Sequence, residues 1–520
     1  MHQLPKLLAV RASRSLLQHR FQKLHYSSST HSFSSNSASH SSSSLSKFLN
    51  EISTNLSHVE INQNKYDLDV HGKGEGYHPT SPPAAILTPT SVTDISSILK
   101  YCNQYKIPVI PYGAGTSVEG HVSAIHPSSI SLDMVKFKQV DLPTDGTILE
   151  DAHIQVGAGV TRHELNHALR HTGLEFKVDP GADATIGGMT ATSASGTTAV
   201  SYGTMRENIL GLECVLPDGT VANCGSFALK SSSGYDLTSL MCGSEGTLGV
   251  ITKVTVKLHP VAEHVSAAIC EFDTLHEAAM AISTMKFSSI PLERCELLDE
   301  SSLDAFHKYT IMSDGNETND SNTEEVVRKP TVFLEFTGAT KDIVQEHVKL
   351  TELICNEFGG SNFEFKTDEA ERRKLWSARH NLYYASLAMR KGAEKAIITD
   401  ACVPLSKLAH VISATAQDVK DYGVIATTFG HAGDGNFHCI LPILEDDDKE
   451  YIQKLHEIND NLIKRTLEVG GTCTGEHGIG NGKIKHLMQE HGEGGVKFME
   501  MIKKGLDANN IMNPGKIVDI

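Results

Sequence analysis

Between Asp179 and Gly196 this chain carries almost nothing bulkier than threonine, with Ile186 and Met189 the exceptions among Pro180, Gly181, Thr185, Gly187, Gly188, Thr192 and Ser195. Such a stretch has too few large side chains to build a core of its own. It either lets a helix pack directly onto neighbouring backbone, or it lets a ligand approach the main chain closely. The tract runs on to Tyr202 and Gly203, and a strand-like run follows over 209–216, closed by a turn at Pro217, Asp218 and Gly219. A further cluster then carries Glu245, Gly246, Gly249 and Ile251. Upstream, the apolar run Ile107 to Tyr112 reads as a buried strand that enters Pro111, Gly113, Ala114, Gly115, Thr116 and Ser117. Backbone N–H groups in a turn of that kind can cradle a pyrophosphate. Taken alone it is equally a structural turn, because neither a dinucleotide fingerprint nor a P-loop lysine follows it. Glycine clusters separated by strand and helix segments suggest one extended ligand wrapped by backbone.

A different pattern stands near the C-terminus. Asp434 and Gly435 are preferred central residues of a two-residue hairpin loop. With that loop, 433 faces 436 and His431 faces His438, which puts the two imidazoles on one face roughly 4.5–5.5 Å apart at Cβ. Two histidines so placed can reach one divalent metal, and a carboxylate such as Glu476 would complete a three-ligand site with positions open for substrate. His477, next in sequence, is then free to handle protons. A turn flanked by two histidines of no special role has the same spacing. The Glu-His pair between Gly475 and Gly478 favours the site.

Composition excludes several classes. The chain has 520 residues, a formal net charge of -17, 39% hydrophobic and 21% charged residues. That length allows two or three domains, and no basic field exists to replace counterions on nucleic acid. No apolar run is long enough to span a membrane. The ten cysteines are scattered, without Cys-x-x-Cys, so zinc ribbons, attached c-type haem and a disulfide scaffold are not indicated.

The N-terminal 46 residues are expected to lie outside the fold. Lys6, Arg11, Arg14, Arg20 and Lys23 are basic, serine dominates from Ser27, and no acid precedes Glu51. That is transit-peptide composition, mitochondrial in preference to chloroplast. Ser91 and Asp94 form a capping-box pattern ahead of the stripe Ile95, Ile98, Leu99 and Cys102. Runs at 267–272 and 331–336 read as paired strands, each followed by a helix, near 275–287 and 341–358. Repeated units of this kind suggest an antiparallel sheet covered by helices on one face. Residues 313–325 read as an exposed loop, 369–389 as a helical segment, a further helix starts at 404–416, and 449–469 is a long amphipathic helix.

Together these motifs resemble the vanillyl-alcohol-oxidase (PCMH-type) flavoprotein superfamily: residues 82–260 its FAD-binding domain, residues 263–520 its FAD-linked oxidase C-terminal region. The motifs that carry the resemblance are 111–117, 179–204, 246–249, 431–438, 475–478 and Asn513 to Lys516. Within the superfamily they are most similar to mitochondrial enzymes that oxidise D-lactate.

The resemblance implies an α+β fold. A FAD-binding domain of two α+β subdomains would occupy 47–262, with its core over 82–260. A substrate domain with an antiparallel sheet would occupy 263–490, and a C-terminal segment, 491–520, would return to the FAD through Asn513. It implies non-covalent FAD held by Pro111, Gly113, Ala114, Gly115, Thr116, Ser117, Pro180, Gly181, Thr185, Gly187, Gly188, Thr192, Ser195, Gly196, Tyr202, Gly203, Glu245, Gly246, Gly249, Ile251 and Asn513. His431, His438 and Glu476 become ligands of zinc or manganese, His477 the general base, and Arg379 the group that binds a 2-hydroxy acid's carboxylate. From the residues alone, a surface arginine paired with a neighbouring acid such as Glu371 is the preferred reading of Arg379. The implied electron acceptor is cytochrome c or a similar carrier. Relatives acting on D-2-hydroxyglutarate carry an Asn where this chain has Ile440 and a Thr where it has Tyr383, which favours a short apolar substrate such as D-lactate. Glycolate differs from lactate only in the pocket size required. A non-redox flavoprotein of the alkyl-glycerone-phosphate synthase type would lack the histidine and glutamate set.

Overall fold

The computed structural model describes residues 35–143, 149–313, 328–518 and 520. Most of the 313–325 segment read as a loop, and the basic leader up to residue 34, lie outside the described residues. A helix, Ser35–Asn55, begins within the 46 residues expected to lie outside the fold, and Phe48 and Ile52 are wholly buried in the first core. Both fall in the domain expected from residue 47.

Two small sheets build the N-terminal half. One runs in the order Glu60–Asn62, Ala85–Thr88, Ile130–Asp133, Val109–Tyr112; its first pair is antiparallel and the rest parallel. Helix Val92–Tyr105 packs against it because Ile95, Ile98, Leu99 and Cys102 recur at helical spacing. Its start is fixed by the expected box: Asp94 N donates to Ser91 Oγ at 3.2 Å and Ser91 N to Asp94 Oδ2 at 2.9 Å. The other sheet is antiparallel, in the order His153–Gly157, Val250–Lys257, Ile209–Val215, Val221–Gly225.

The small-residue tract joins them. Helix Ile186–Thr192 sits so close to the strand His153–Gly157 and the residues after it that Gly187 N bonds Ala158 O at 2.9 Å. A Cβ on Gly187 would meet Ala158 Cβ at 2.6 Å, so only glycine permits this approach.

The second half is built on an antiparallel sheet in the order Ser361–Lys366, His264–Glu271, Thr331–Gly338, Arg294–Leu298, Thr427–Gly430, Asn436–Ile443, Lys395–Ile398, with Ala401–Cys402 also pairing to Asn436–Ile443. The expected pairing of the runs at 267–272 and 331–336 is there, Ala267 opposite Glu335 and Ile269 opposite Phe333. Helices Leu275–Phe287, Lys341–Glu357, Leu408–Tyr422 and Lys449–Glu468 follow the apolar periodicity.

Coverage on one face only is not what the sheet shows. Leu298, Phe333, Phe429 and Ile440, of opposite parity to the residues facing those helices, pack with Trp376 and Leu382 from a second helical layer. That layer holds Glu300–Ser313, through Leu303 and Phe306, and two helices, Glu369–His380 and Leu382–Ala388, rather than one continuous segment over 369–389. Asn381, at φ −89 and ψ 0, breaks it between them. After the kinked helix Ile484–Leu506, the chain crosses back to the first half: Val109 N donates to Ile511 O at 2.7 Å and Asn513 N to Val109 O at 2.9 Å.

Candidate active site

One continuous cavity runs between the halves. Its wall on the N-terminal side is Pro111, Gly113, Ala114, Gly115, Thr116, Ser117, Pro180, Gly181, Thr185, Gly187, Gly188, Thr192, Ser195, Glu245, Gly246, Gly249 and Ile251, with Asn513 from the returning segment. Gly196, Tyr202 and Gly203 are not on it. Gly196 is pressed against Asp179, Tyr202 donates its hydroxyl to Glu293 Oε2 at 2.9 Å, and Gly203 caps the helix Ala199–Tyr202 at φ 77. Gly196 meets backbone, Gly203 ends a helix and Tyr202 makes a side-chain hydrogen bond, uses that a glycine-tract context does not separate from ligand approach. The cavity wall fits an adenine dinucleotide in the sense that matters: main chain lies bare along it, and buried Ser117 Oγ and Asn513 Oδ1, both on lining residues, have no protein partner.

At its other end the cavity is lined by His431, His438, Glu476, His477 and Arg379. The two histidines do not face each other as the turn chemistry suggests. The strand Thr427–Gly430 stops one residue early, Phe429 pairs with His438, and 431–435 forms the turn, with Asn436 N on His431 O at 3.3 Å. A five-residue turn shifts the register by two, which keeps side-chain parity, so both imidazoles still reach one place. Their ring centroids are 5.8 Å apart.

Glu476 Oε1 lies 3.3 Å from His431 Nε2 and 3.1 Å from His438 Nε2. The remaining ring nitrogens are held from behind: His431 Nδ1 meets Glu296 Oε1 at 2.6 Å and His438 Nδ1 meets Thr399 O at 3.0 Å. Imidazoles anchored at one nitrogen and aimed with the other are the arrangement of metal ligands. Asp400, His438 and His477 form an overlapping cluster. There the carboxylate is already engaged: Asp400 Oδ2 accepts from Glu476 N at 2.9 Å, His477 N at 2.8 Å and Thr474 Oγ1 at 2.7 Å, and Oδ1 from Asn436 Nδ2 at 2.8 Å. The donor set that fits a divalent ion is therefore His431, His438 and Glu476.

Electrostatics agree. Burial pushes the Glu476 carboxyl up, but His431 and His438 outweigh it and hold it well below the usual range. Burial pushes His431 down, and Glu296 and Glu476 together raise it well above 6.5. With carboxylates on both sides, the site demands positive charge at this point. His477 is lowered, chiefly by burial, against the pull of Asp400. Its ring stacks on His438 with centroids 4.9 Å apart, and Nδ1 is buried without a hydrogen-bond partner.

Arg379 is not the surface arginine paired with Glu371. Its Nε meets Glu296 Oε2 at 2.5 Å and its guanidinium lies over the Phe429 ring, 4.7 Å from the centroid. Tyr383, Ile398, Phe429 and Ile440 complete an apolar wall beside it. Glu296 and Asp400 went unnoticed in the sequence. An acid set among Cys295, Leu297 and Leu298 was the available signal for the first; nothing local marks the second.

Comparison with known proteins decides the family. Residues 83–225 match the FAD binding domain family, and residues 261–517 match the family of FAD linked oxidases, C-terminal domain. The chain is 42% identical over 454 residues to a probable mitochondrial D-lactate dehydrogenase of Danio rerio, covering 86% of this chain and 87% of that one.

It belongs to the FAD-linked oxidases.

Other family members include a mitochondrial D-lactate dehydrogenase [cytochrome] of Arabidopsis thaliana, 41% identical across 86% of this chain and 76% of that one, and a glycolate oxidase subunit of Bacillus subtilis, 30% identical across 84% and 89%. Among solved structures, p-cresol methylhydroxylase shares the fold with a TM-score of 0.73 at 16% identity, covering 92% and 97% of the two chains. Alkyldihydroxyacetonephosphate synthase shares it at 0.68 and 18%, covering 90% and 86%. As an FAD-linked oxidase the chain is a flavin-dependent oxidoreductase, with its small-residue wall in the FAD binding half. Among the described residues no helix is long and apolar enough to cross a membrane.

Proposed function

We propose that this FAD-linked oxidase converts D-lactate, and other short D-2-hydroxy acids, into 2-oxo acids. Electrons would leave the flavin for a cytochrome-type carrier, and a divalent zinc or manganese ion would be held by His431, His438 and Glu476. The observation that carries the reading is the convergence, in one cavity, of Arg379, His477 and the ligand set His431, His438 and Glu476 beside the small-residue wall.

Oxidising a 2-hydroxy acid removes a proton from the hydroxyl and a hydride from C2. FAD, when bound, accepts the hydride, which no side chain can do. A divalent ion at the ligand set would make the substrate hydroxyl more acidic. Everything else falls to the chain. The Arg379 guanidinium pairs with the substrate carboxylate as a planar donor fork. His477, kept neutral by burial, takes the hydroxyl proton. Asp400 fixes the 476–477 backbone through both N–H groups, so ligand and base move as one unit. Ile398, Phe429 and Ile440 exclude water and offer no partner to a second carboxylate, which disfavours dicarboxylic substrates.

The names of the Danio rerio and Arabidopsis thaliana relatives support D-lactate as substrate, a cytochrome as acceptor and a mitochondrial location. The basic, acid-free composition of the leader supports the location independently. Anaerobic mixing of the FAD-loaded protein with D-lactate, L-lactate, glycolate or D-2-hydroxyglutarate tests the reading. D-Lactate should bleach the flavin band fastest; bleaching by D-2-hydroxyglutarate alone would overturn it.

A further inference from the structure

Glu296 lies on the strand Arg294–Leu298, whose antiparallel pairing sets Leu297 against Gly430 and Leu298 against Phe429. Continuing that register by one residue brings Glu296 opposite His431, just past the end of its strand. The side chain is completely buried. Its two oxygens go to different places: Oε1 to His431 Nδ1 at 2.6 Å, Oε2 to Arg379 Nε at 2.5 Å. One carboxylate thus touches both a member of the proposed ligand set and the proposed substrate arginine, which come from separate elements.

We propose that Glu296 is a positioning residue that locks Arg379 and His431 into one fixed relation, so that the substrate carboxylate and hydroxyl are presented to their two partners in register. The inference rests on the functional reading above and goes beyond it in assigning the part that couples its halves. Accepting from His431 Nδ1–H keeps that nitrogen protonated, so that Nε2, 3.3 Å from Glu476 Oε1, is the nitrogen left to give its lone pair to an ion. Holding Arg379 by Nε, with Phe429 beneath the guanidinium, fixes the plane of the fork. Leucine there would abolish both effects, and aspartate is too short to span them.

Glu296→Gln in the FAD-loaded protein is the test, with two readouts that need no turnover. Manganese affinity, measured by competition with a chelator, should fall roughly 10–100-fold, as for other residues that orient metal ligands. Propionate, a carboxylate without a hydroxyl, titrated against the flavin absorbance, should bind about tenfold more weakly, as one lost charge-assisted contact implies. In an Arg379→Lys background, Glu296→Gln should still weaken manganese but leave propionate binding unchanged. A residue that only stabilises the fold would shift the melting temperature and neither affinity. If Glu296→Gln loses FAD, Arg379→Met is compared with Arg379→Met/Glu296→Gln, where no guanidinium is left unpaired. The double variant should hold manganese more weakly by the same factor, and equal affinity would overturn the proposal. Wild-type protein that binds no manganese or zinc would refute the functional reading itself. Wild type that binds it, with both affinities untouched in Glu296→Gln, would refute this inference alone.

Discussion

His438 stands opposite Phe429, not opposite His431, across the strand pair that carries the site. This leaves His431 beyond the last paired residue, where a loop carries it towards both Glu296 and Glu476. It also puts Phe429 in the sheet face under Arg379.

Replacing His431, His438 or Glu476 by alanine should lower kcat/KM for D-lactate by at least about 100-fold, the upper end of losses from merely orienting residues. The FAD absorbance of each purified variant should be retained, since the three come from the second half of the chain and the small-residue wall from the first. Parent-like turnover in any of them would exclude it from the ligand set.

Arg379→Lys keeps the charge but loses the planar fork. We expect KM to rise and kcat/KM to fall by about 10–100-fold, the 1.5–3 kcal/mol scale of a hydrogen bond to a charged group. Steady-state kinetics with D-lactate check this, and an unchanged KM would mean that the carboxylate binds elsewhere.

The apolar wall of Ile398, Phe429 and Ile440 sets a limit on substrate charge. An unpaired second carboxylate there costs at least about 3 kcal/mol, so D-lactate should exceed D-2-hydroxyglutarate in kcat/KM by about 100-fold or more. A ratio near unity would show that a cationic partner reaches this wall.

Asp299 gives a pH dependence of stability separate from catalysis. Burial pushes its carboxyl from 3.8 up to about 6, although Ser302 opposes this through N–H and hydroxyl. The folded state then binds more protons than the unfolded one between those values. Stability is fully present below pH 3.8 and is lost as pH rises through about 6, by up to about 3 kcal/mol. Asp299→Asn retains an acceptor for Ser302 without the charge. Relative to wild type it should gain stability between pH 4.5 and pH 7.5 in denaturant titrations, and a constant difference would count against the shift.

Much of this was legible in the sequence, for physical reasons that differ by element. The capping box at Ser91 and Asp94 and the stripe behind it are local, and the helix follows from them directly. The glycine tracts reveal close approach, but Gly196 against Asp179 answers to protein backbone, Gly113 and Gly246 line the cavity, and Gly187 both packs on Ala158 and lines it. Spacing alone does not separate the two uses. The hairpin register was misread because Asp434-Gly435 suits a two-residue loop, and only tertiary packing stretches the turn back to His431. Parity survived the error, so the histidines still converge. Asp400 lay beyond reach and Glu296 left only the trace of an acid among apolar neighbours, because each acts through partners more than 30 positions away.

The most direct measurement is the rate at which D-lactate bleaches the flavin of anaerobic protein before and after a strong chelator, then after manganese or zinc is returned. Loss of bleaching with FAD still bound, and its recovery with the ion, is the predicted result. Bleaching that proceeds at the same rate in chelated protein would contradict the ligand role of His431, His438 and Glu476.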